Sequence, residues 1–418
     1  MTGVFAIHSG MAVSFRRHQL SNGLNIIAEV DPDAHTSAAG FFVRTGARDE
    51  EAACMGVSHF LEHMMFKGTA DISADELNRR FDAIGARNNA YTSNELTCFY
   101  AHVLPEHLPS ATDLLGRMLR PALNDADFQT ERGVILEEIA MYQDNPSFVL
   151  YEETIARHFG AHPLSHRVLG TPETIGAMTS EQMRQYFTRR YSADNTVAAF
   201  AGRVDFDAVC GQVESLCGWW ERTGATRESA PPPLAGGRFD TRSAKVSRGY
   251  LLTLAPAPAI GDDRRYAAAL AAQVLGAADN SRLHWSLIEP GIADEAQASY
   301  DAHDGFGEFV VFASGEPGRM AEIAGAIERE SASLADSLKE EDLSRLLEKL
   351  ATGIVVGGER PNDRMQRLGR LWTYLGTYRT LGEELDRVRA VTVEDVRGVL
   401  GAFPMRAVTE GRLLPEST

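Results

Sequence analysis

Cysteine is scarce in this chain of 418 residues, which contains only four. No two of them form a CxxC pair, so a zinc ribbon built on thiolates or a thioredoxin-type redox site is excluded. They are also too few and too scattered for a disulfide framework. We therefore predict free thiols, buried or partly buried, in a reducing compartment. The four are Cys54, Cys98, Cys210 and Cys217.

Long apolar runs and an excess of positive charge are missing too. The most apolar stretch, Ala267–Ala278, is short and is interrupted by Gln273, so we expect no membrane span. The first ten residues carry neither a basic region nor a sustained apolar region, which predicts a cytoplasmic protein without a secretory signal. With 41 basic against 58 acidic residues, the net charge of −17 disfavours a nucleic-acid partner.

The length and the 44% hydrophobic content predict a globular chain with two domains. One segment, Arg222–Ala244, stands apart because it holds a proline triplet and glycine pairs with few periodic apolar residues. Such a composition is typical of a linker. We therefore predict an N-terminal domain over residues 1–221 and a C-terminal domain over residues 245–418.

The two halves share a pattern of helices. In each half an amphipathic helix that starts at an acidic residue is followed by a second helix that opens with Thr and an acidic residue. The first helices start near Asp127 and Asp342, and the second ones at Thr179 and Thr392, so both pairs are separated by nearly the same offset. A threonine at this position caps a helix by accepting hydrogen bonds from its first N–H groups. The shared offset predicts a duplicated domain.

Short β-branched or aromatic segments mix with longer helical patterns, without a regular strand–helix alternation. This mixture predicts an α+β fold of two homologous domains, each a mostly antiparallel sheet covered by helices on one face. The strand candidates are Asn25–Val30, Ala38–Thr45, Thr97–Val103, Thr196–Gly202, Gly249–Ala255, Glu308–Ser314 and Met405–Glu410.

The sharpest motif is His59-Phe60-Leu61-Glu62-His63, an H-x-x-E-H pattern. On a helix His59 and His63 lie one turn apart on the same face, so both imidazoles can reach one metal ion. Glu62 lies at the edge of that face, where it can act on a water molecule without binding the metal. The flanking apolar residues predict a buried helix, which disfavours two surface histidines as the explanation.

A catalytic zinc site needs a third protein ligand. The helical segment from Asp125 to Tyr142 offers Glu131, Glu137 and Glu138. Glu131 and Glu138 are seven residues apart and share one helix face, whereas Glu137 points roughly 100° away from Glu138. We therefore expect one carboxylate of the Glu131/Glu138 face to bind the metal and the other to orient the site.

The segments HFLEHMMFKGT and ERGVILEEIAMYQDNP resemble the M16 metallopeptidases, the family of pitrilysin, insulinase and the mitochondrial processing peptidase. NGLNIIAEV, IGARNNAYTSNELTCFY and LGTPETI extend the resemblance along the first half. It implies the LuxS/MPP-like fold, a bacterial single-arm subunit and one Zn²⁺ per chain. It also implies that His59, His63 and Glu138 bind zinc, that Glu62 is the general base and that Glu131 assists.

The same resemblance implies a zinc-dependent endopeptidase that acts on extended peptides or unfolded segments. A substrate strand is then expected to pair with the edge strand that contains Asn89, Ala90, Tyr91 and Thr92. The alternative is a non-proteolytic structural or assembly subunit with the same fold. The complete set of His59, Glu62, His63 and Glu138 favours the enzyme, since a structural subunit needs no general base.

The second half departs from the family pattern. In VLGAADNSRLHWSLIEPGIADEA the family's substrate-contacting Arg and Tyr align with Ile288 and Asp294, and one residue between them is missing. Two explanations follow: a partner subunit supplies the pair, or the substrate contacts differ. We favour a homodimer or a heterodimer with a second M16-like subunit.

Overall fold

A computed structural model describes residues 13–416. The first ten residues, on which the prediction of a missing secretory signal depends, lie outside this range. The strands β1 to β11 are, in chain order, Ser14–Gln19, Asn25–Val30, Ser37–Val43, Arg87–Thr92, Thr97–Val103, Thr196–Gly202, Gly237–Ser243, Gly249–Ala257, Glu295–Ala302, Gly307–Gly315 and Thr409–Pro415. The helices α1 to α14 are Val57–Met65, Ala74–Ala83, Leu108–Met118, Asp125–Tyr142, Pro146–Phe159, Pro172–Ala177, Ser180–Arg190, Phe206–Cys217, Arg265–Gly276, Met320–Ser337, Glu340–Gly358, Pro361–Leu375, Leu381–Arg389 and Val393–Ala402.

The strands form two sheets with the same topology. The first has the order β1-β2-β6-β3-β5-β4 and the second the order β7-β11-β8-β10-β9. Apart from the extra edge strand β1, the five strands of each sheet follow one another in the same way. In both sheets the first and last of these five strands in chain order pair in parallel, and every other pair is antiparallel. The predicted α+β fold of two homologous domains is therefore confirmed.

The helix pattern that suggested duplication is present in the structure. Thr179 caps α7 by accepting a hydrogen bond from the N–H of Gln182, and Thr392 caps α14 by accepting one from the N–H of Asp395. Each threonine thereby satisfies a helix donor that has no partner within its own helix. The longer helices α4 and α11 precede them in the two halves, as the sequence offset predicts.

Each half lends one helix to the sheet of the other half. Helix α5 packs against β8 and β11, whereas α12 packs against β3 and β6. Both helices begin at a proline, Pro146 and Pro361, and these are 215 residues apart (361 − 146), so they are the same element of the two copies. The exchanged helices cover the sheet faces that the other helices leave open. The apolar residues buried between α12 and the first sheet include Ile27, Phe42, Val197, Met365 and Trp372. Those buried between α5 and the second sheet include Leu150, Phe159, Leu252 and Leu254.

The linker is shorter than predicted. Residues Gly237–Ser243, which the sequence analysis assigned to it, form β7 at the edge of the second sheet. Their side chains alternate between exposed and half-buried, and only Phe239 is large and apolar, so the hydrophobic pattern gave no strand signal. The predicted strand Met405–Glu410 also starts later, as β11 over Thr409–Pro415. No helix among the described residues is long and apolar enough to cross a membrane.

The contact between α12 and the first sheet depends on a glycine. A Cβ atom at Gly369 would overlap the ring of Phe42, which lies in β3. We expect Gly369→Ala to destabilise the protein by about 1–3 kcal/mol, because the tightly packed helix must move away from the sheet. Urea unfolding measures this change. The matched control is Gly353→Ala in α11, where a Cβ meets no atom within 4 Å; there alanine is expected to stabilise the helix by up to about 1 kcal/mol.

Candidate metal centre

Helix α1 presents His59 and His63 on one face. Phe60, Leu61 and Met64 are buried and fix the opposite side of the helix in the core of the first domain. The two imidazole rings lie 4.7 Å apart between centroids, at an interplanar angle of 67°. His59 is 9% exposed, so most of its side chain is shielded from solvent. The sequence prediction of two histidines one turn apart on a buried helix agrees with this arrangement.

A buried carboxylate that the sequence analysis missed holds the start of α1. Glu50 accepts hydrogen bonds from the N–H groups of Gly56 and Ser58, each at 2.7 Å. Burial raises the pKa of Glu50 to about 8, although the two backbone hydrogen bonds act in the opposite direction. Glu50 lies six residues before Gly56, outside the usual capping position. It reaches the start of α1 because the chain turns back between the two residues, which a capping pattern in the sequence does not show. This residue positions the helix that carries the two histidines.

Helix α4 brings Glu138 to the two histidines. Its Oε2 lies 3.8 Å from Nε2 of His59 and 3.6 Å from Nε2 of His63. One donor atom from each of the three residues lies within 4.8 Å of the others. Ligands at about 2.0–2.1 Å from a tetrahedral zinc ion lie roughly 3.4 Å from one another. The three residues predicted as zinc ligands are thus together, at distances close to those that zinc requires.

The surroundings of the two histidines suit a metal site. Burial, together with the nearby His63, lowers the pKa of His59 to about 3, so His59 is neutral near pH 7. Nδ1 of His63 lies 3.1 Å from Oε2 of Glu131. A hydrogen bond donated by Nδ1 of His63 to this carboxylate would leave Nε2, on the Glu138 side, as the nitrogen that can bind a metal ion. Two imidazoles and one carboxylate are a donor set that zinc accepts in catalytic sites.

Glu131 lies beside the donor set and not within it. Its side chain is 6% exposed, and Oε1 lies 2.5 Å from Nζ of Lys67 while Oε2 faces His63. The two carboxylates on this helix face therefore have different positions. Glu138 lies near Nε2 of both histidines, whereas Glu131 lies near Nδ1 of His63, on the other side of its ring. Glu137 is exposed on the other side of α4. The choice of the Glu131/Glu138 face agrees with this placement.

We expect Glu131→Gln to weaken zinc binding by roughly 10- to 100-fold, because residues that orient metal ligands typically contribute this much. Zinc affinity is measured by competition with a chelator of known affinity. Glu137→Gln, on the exposed side of the same helix, is the control and should bind zinc as tightly as the wild-type protein. Equal affinities for both variants would show that Glu131 does not orient His63.

Glu62 lies on the same helix as the histidines and faces a cavity. The hydroxyl of Thr92 in β4 donates a hydrogen bond of 2.6 Å to its Oε2. Burial raises the pKa of Glu62, and the Thr92 hydrogen bond and His63 oppose this shift. A carboxylate with a raised pKa, held beside the metal ligands, is suited to accept a proton near neutral pH.

The cavity beside the donor set has a volume of about 350 Å³ and reaches the edge strand β4. His59, Glu62 and Glu138 lie on one side of it, and Ala90, Tyr91 and Thr92 on another. Helix α5, which belongs to the same half but packs on the second sheet, supplies a further wall. Asn89 is exposed and lies outside the lining, and its Oδ1 accepts a hydrogen bond of 2.9 Å from the N–H of Ala90.

Ile288 and Asp294 both contact other residues of the second domain. Ile288 ends a short π-helical segment and packs against the apolar core of that domain. Asp294 precedes β9 and accepts a hydrogen bond of 2.8 Å from Nε of Arg248. Neither residue lines the cavity at the donor set.

Comparison with known proteins assigns most of the chain to one family. The sequence model described as "Insulinase (Peptidase family M16)" matches residues 25–172, and the one described as "Peptidase M16 inactive domain" matches residues 177–350. A curated relative, named an uncharacterized zinc protease, of Mycobacterium leprae is 34% identical over 394 residues, which cover 92% of this chain and 88% of the relative.

Two solved structures show the same fold. A protease from Helicobacter pylori superposes with a TM-score of 0.90 at 18% identity, covering 97% of this chain and 100% of that chain. A chain of complex III2 from Candida albicans superposes with a TM-score of 0.84 at 17% identity, covering 96% of this chain and 95% of that chain.

Proposed function

Because the chain belongs to peptidase family M16, we propose that it is a zinc-dependent endopeptidase that cleaves extended peptides or unfolded segments. The proposal depends mainly on one observation: the donor atoms of His59, His63 and Glu138 lie close together. Glu62 lies beside them and can act as a general base. Curated relatives named zinc proteases support this assignment.

In this proposal His59, His63 and Glu138 hold one zinc ion. When bound, zinc supplies a Lewis acid that polarises a peptide carbonyl and makes a water molecule more acidic. Glu62 accepts the proton of the attacking water and passes it to the departing amine. Thr92 keeps the Glu62 carboxylate in place through its hydrogen bond, and Glu131 holds the ring of His63.

We further propose that the substrate pairs with β4 as an additional strand. β4 is the last strand in the order of the first sheet, so among residues 13–416 no strand lies beside one of its backbone edges. The N–H of Ala90 donates a hydrogen bond to the side chain of its neighbour, Asn89, and a substrate carbonyl could replace that local contact. Main-chain hydrogen bonds of this kind recognise an extended backbone and leave selectivity to individual side chains.

The alternative is a structural or assembly subunit without proteolytic activity. The family description of the second half as an inactive domain and the similarity to a chain of complex III2 are consistent with it. The complete donor set and the raised pKa of Glu62 favour the enzyme, because a structural role requires neither.

The test is hydrolysis of a set of internally quenched peptides by the purified chain loaded with zinc. We expect cleavage that a chelator abolishes and that added zinc restores. Zinc bound at one ion per chain, without cleavage of any peptide alone or with a partner, would favour the structural alternative.

We also propose that the chain acts with a second M16-like subunit, either another copy or a homologue. The proposal depends on Ile288 and Asp294, which offer no cation and no phenol at the positions of the family's substrate-contacting pair. We expect the purified chain alone to cleave peptides weakly, and at least about tenfold faster after mixing with a homologue that carries the Arg and Tyr. Full activity of the isolated monomer, verified by its sedimentation, would rule out the need for a partner.

A further inference from the structure

A second cavity lies behind β4, on the face of the first sheet opposite to the metal ligands. It has a volume of about 590 Å³ and lies between the two halves of the chain. Tyr91 and Asn94 line both this cavity and the one at the donor set, so the two cavities are neighbours across the end of β4. We name it the rear cavity.

Consecutive residues of β4 point alternately to the two cavities. Ala90 packs into the core beneath α1, and Thr92 reaches Glu62. Tyr91, between them, points the other way and donates a hydrogen bond of 3.0 Å to Gln366 of α12. A peptide added to β4 must alternate in the same way, because neighbouring strands of a sheet share their pleat. Every second substrate side chain would therefore face α12 and the rear cavity.

Helix α12 carries an arginine, Arg370, beside the rear cavity. Arg370 is exposed and lines both the rear cavity and a smaller cavity of about 340 Å³ beside it, together with Tyr91. Within the part of the chain that the structure describes, it forms no ion pair, and its guanidinium carbon lies 6.0 Å from the ring centroid of Tyr374. The other arginines that face the first sheet from α12, Arg364 and Arg367, are both engaged with Glu29.

The other charged groups of the rear cavity are mostly neutralised. Arg265 and Glu384 lie 3.8 Å apart, and Glu384 also accepts a hydrogen bond from Tyr266. Asp301 lies on the wall formed by β9, where burial raises its pKa and the charge of Arg370 opposes that shift, although the two residues form no ion pair. A free guanidinium beside an open strand edge can form a charge-assisted hydrogen bond with a carboxylate.

We propose that Arg370 is a specificity-determining residue that binds an acidic side chain of the substrate. The acidic residue would occupy one of the alternate positions that point away from the metal ligands. The proposal rests on the proposed function, since it assumes that an extended peptide pairs with β4. It names the substrate class as peptides with a Glu or Asp at that position.

The experiment uses fluorogenic peptides of about ten residues in which a single Glu is moved along the sequence, each with a matched Gln peptide. For the wild-type protein we expect kcat/KM to favour Glu over Gln about fivefold or more at one position and at neither adjacent position. Arg370→Gln should reduce this ratio to about one, mainly through KM, and Arg370→Lys should restore part of it. Arg329→Gln, at an exposed position of α10, is the matched control and should leave the ratio unchanged.

A Glu/Gln ratio that Arg370→Gln does not change would overturn the proposal. The same conclusion follows if the protein prefers Lys peptides and loses that preference in Asp301→Asn. Equal preferences at adjacent positions would exclude the added strand, and with it this role of Arg370.

A binding measurement separates this proposal from the proposed function. The affinity of labelled Glu and Gln peptides is measured by fluorescence anisotropy on the Glu62→Gln protein, with and without Arg370→Gln. A wild-type protein that cleaves nothing, combined with a Glu preference in binding that Arg370→Gln removes, would reject the peptidase and keep the role of Arg370. Cleavage by the wild-type protein without any such preference would keep the peptidase and reject the role of Arg370.

Discussion

Replacing Glu62 with Gln is expected to lower kcat/KM for peptide cleavage by about 10³-fold, within the range of 10²–10⁴ that a general base contributes. Gln has the same shape and can still accept the hydrogen bond from Thr92, which measures 2.6 Å in the wild-type protein. It cannot accept a proton from water. Zinc binding should therefore persist at one ion per chain while hydrolysis is lost, and both are measured on the same preparation.

Two controls make this result specific to Glu62. Glu137→Gln changes an exposed carboxylate of α4 and should leave cleavage unchanged. Thr92→Val removes the hydroxyl that holds Glu62 and should give a smaller loss than Glu62→Gln. If Glu62→Gln retained more than a tenth of the wild-type kcat/KM, Glu62 would not be the base.

The second large effect concerns stability and involves a buried ion network between the two halves. Glu95, in the turn after β4, lies 2.5 Å from Arg48 and 3.5 Å from His303 of the second half. It also accepts a hydrogen bond of 3.1 Å from the N–H of Asp304. The side chains of Arg48 and Glu95 are 2% and 1% exposed.

We expect Glu95→Ala to lower the free energy of unfolding by about 3–5 kcal/mol, because it leaves buried cations without their partner. Urea unfolding measures the change. Glu76→Gln breaks an exposed ion pair with Arg80 and serves as the control, with little change in stability expected. Similar stability of the Glu95 and Glu76 variants would show that the network does not hold the halves together.

The same network predicts how stability depends on pH. Burial would lower the pKa of His303, but the contacts with Glu308 and Glu95 outweigh burial and raise it to about 10. A histidine whose pKa is raised in the folded state stabilises the protein fully below its unfolded pKa of about 6.5, and this stabilisation is lost as the pH rises towards 10. We expect the free energy of unfolding to fall between pH 7 and pH 10, and His303→Gln to flatten that part of the profile.

The candidate metal centre could be assembled from the sequence because helix geometry relates its residues. His59 and His63 share a face at a spacing of four, and Glu131 and Glu138 share one at a spacing of seven. These two spacings singled out four residues whose side chains lie close together in the structure. The choice between Glu131 and Glu138 as the ligand required the family resemblance, since either residue satisfies the helix rule.

Other features could not be predicted because they depend on contacts between distant segments. Glu95 and His303 are more than two hundred residues apart, and no local pattern links them. The strand Arg87–Thr92 reads RNNAYT, which is too polar for the alternation rule, so the family resemblance and not the hydrophobic pattern indicated an edge strand beside the candidate metal centre. Helix α12 shows an ordinary amphipathic pattern, which does not reveal that it packs on the sheet of the other half.

The central claim is that His59, His63 and Glu138 hold a single zinc ion beside Glu62. The most direct test is an anomalous difference map from crystals of the zinc-loaded protein, recorded on both sides of the zinc absorption edge. We expect one peak per chain, in contact with Nε2 of both histidines and with the Glu138 carboxylate, and no such peak in His63→Ala. A wild-type map without a peak at these three side chains, or with zinc bound elsewhere in the chain, would contradict it.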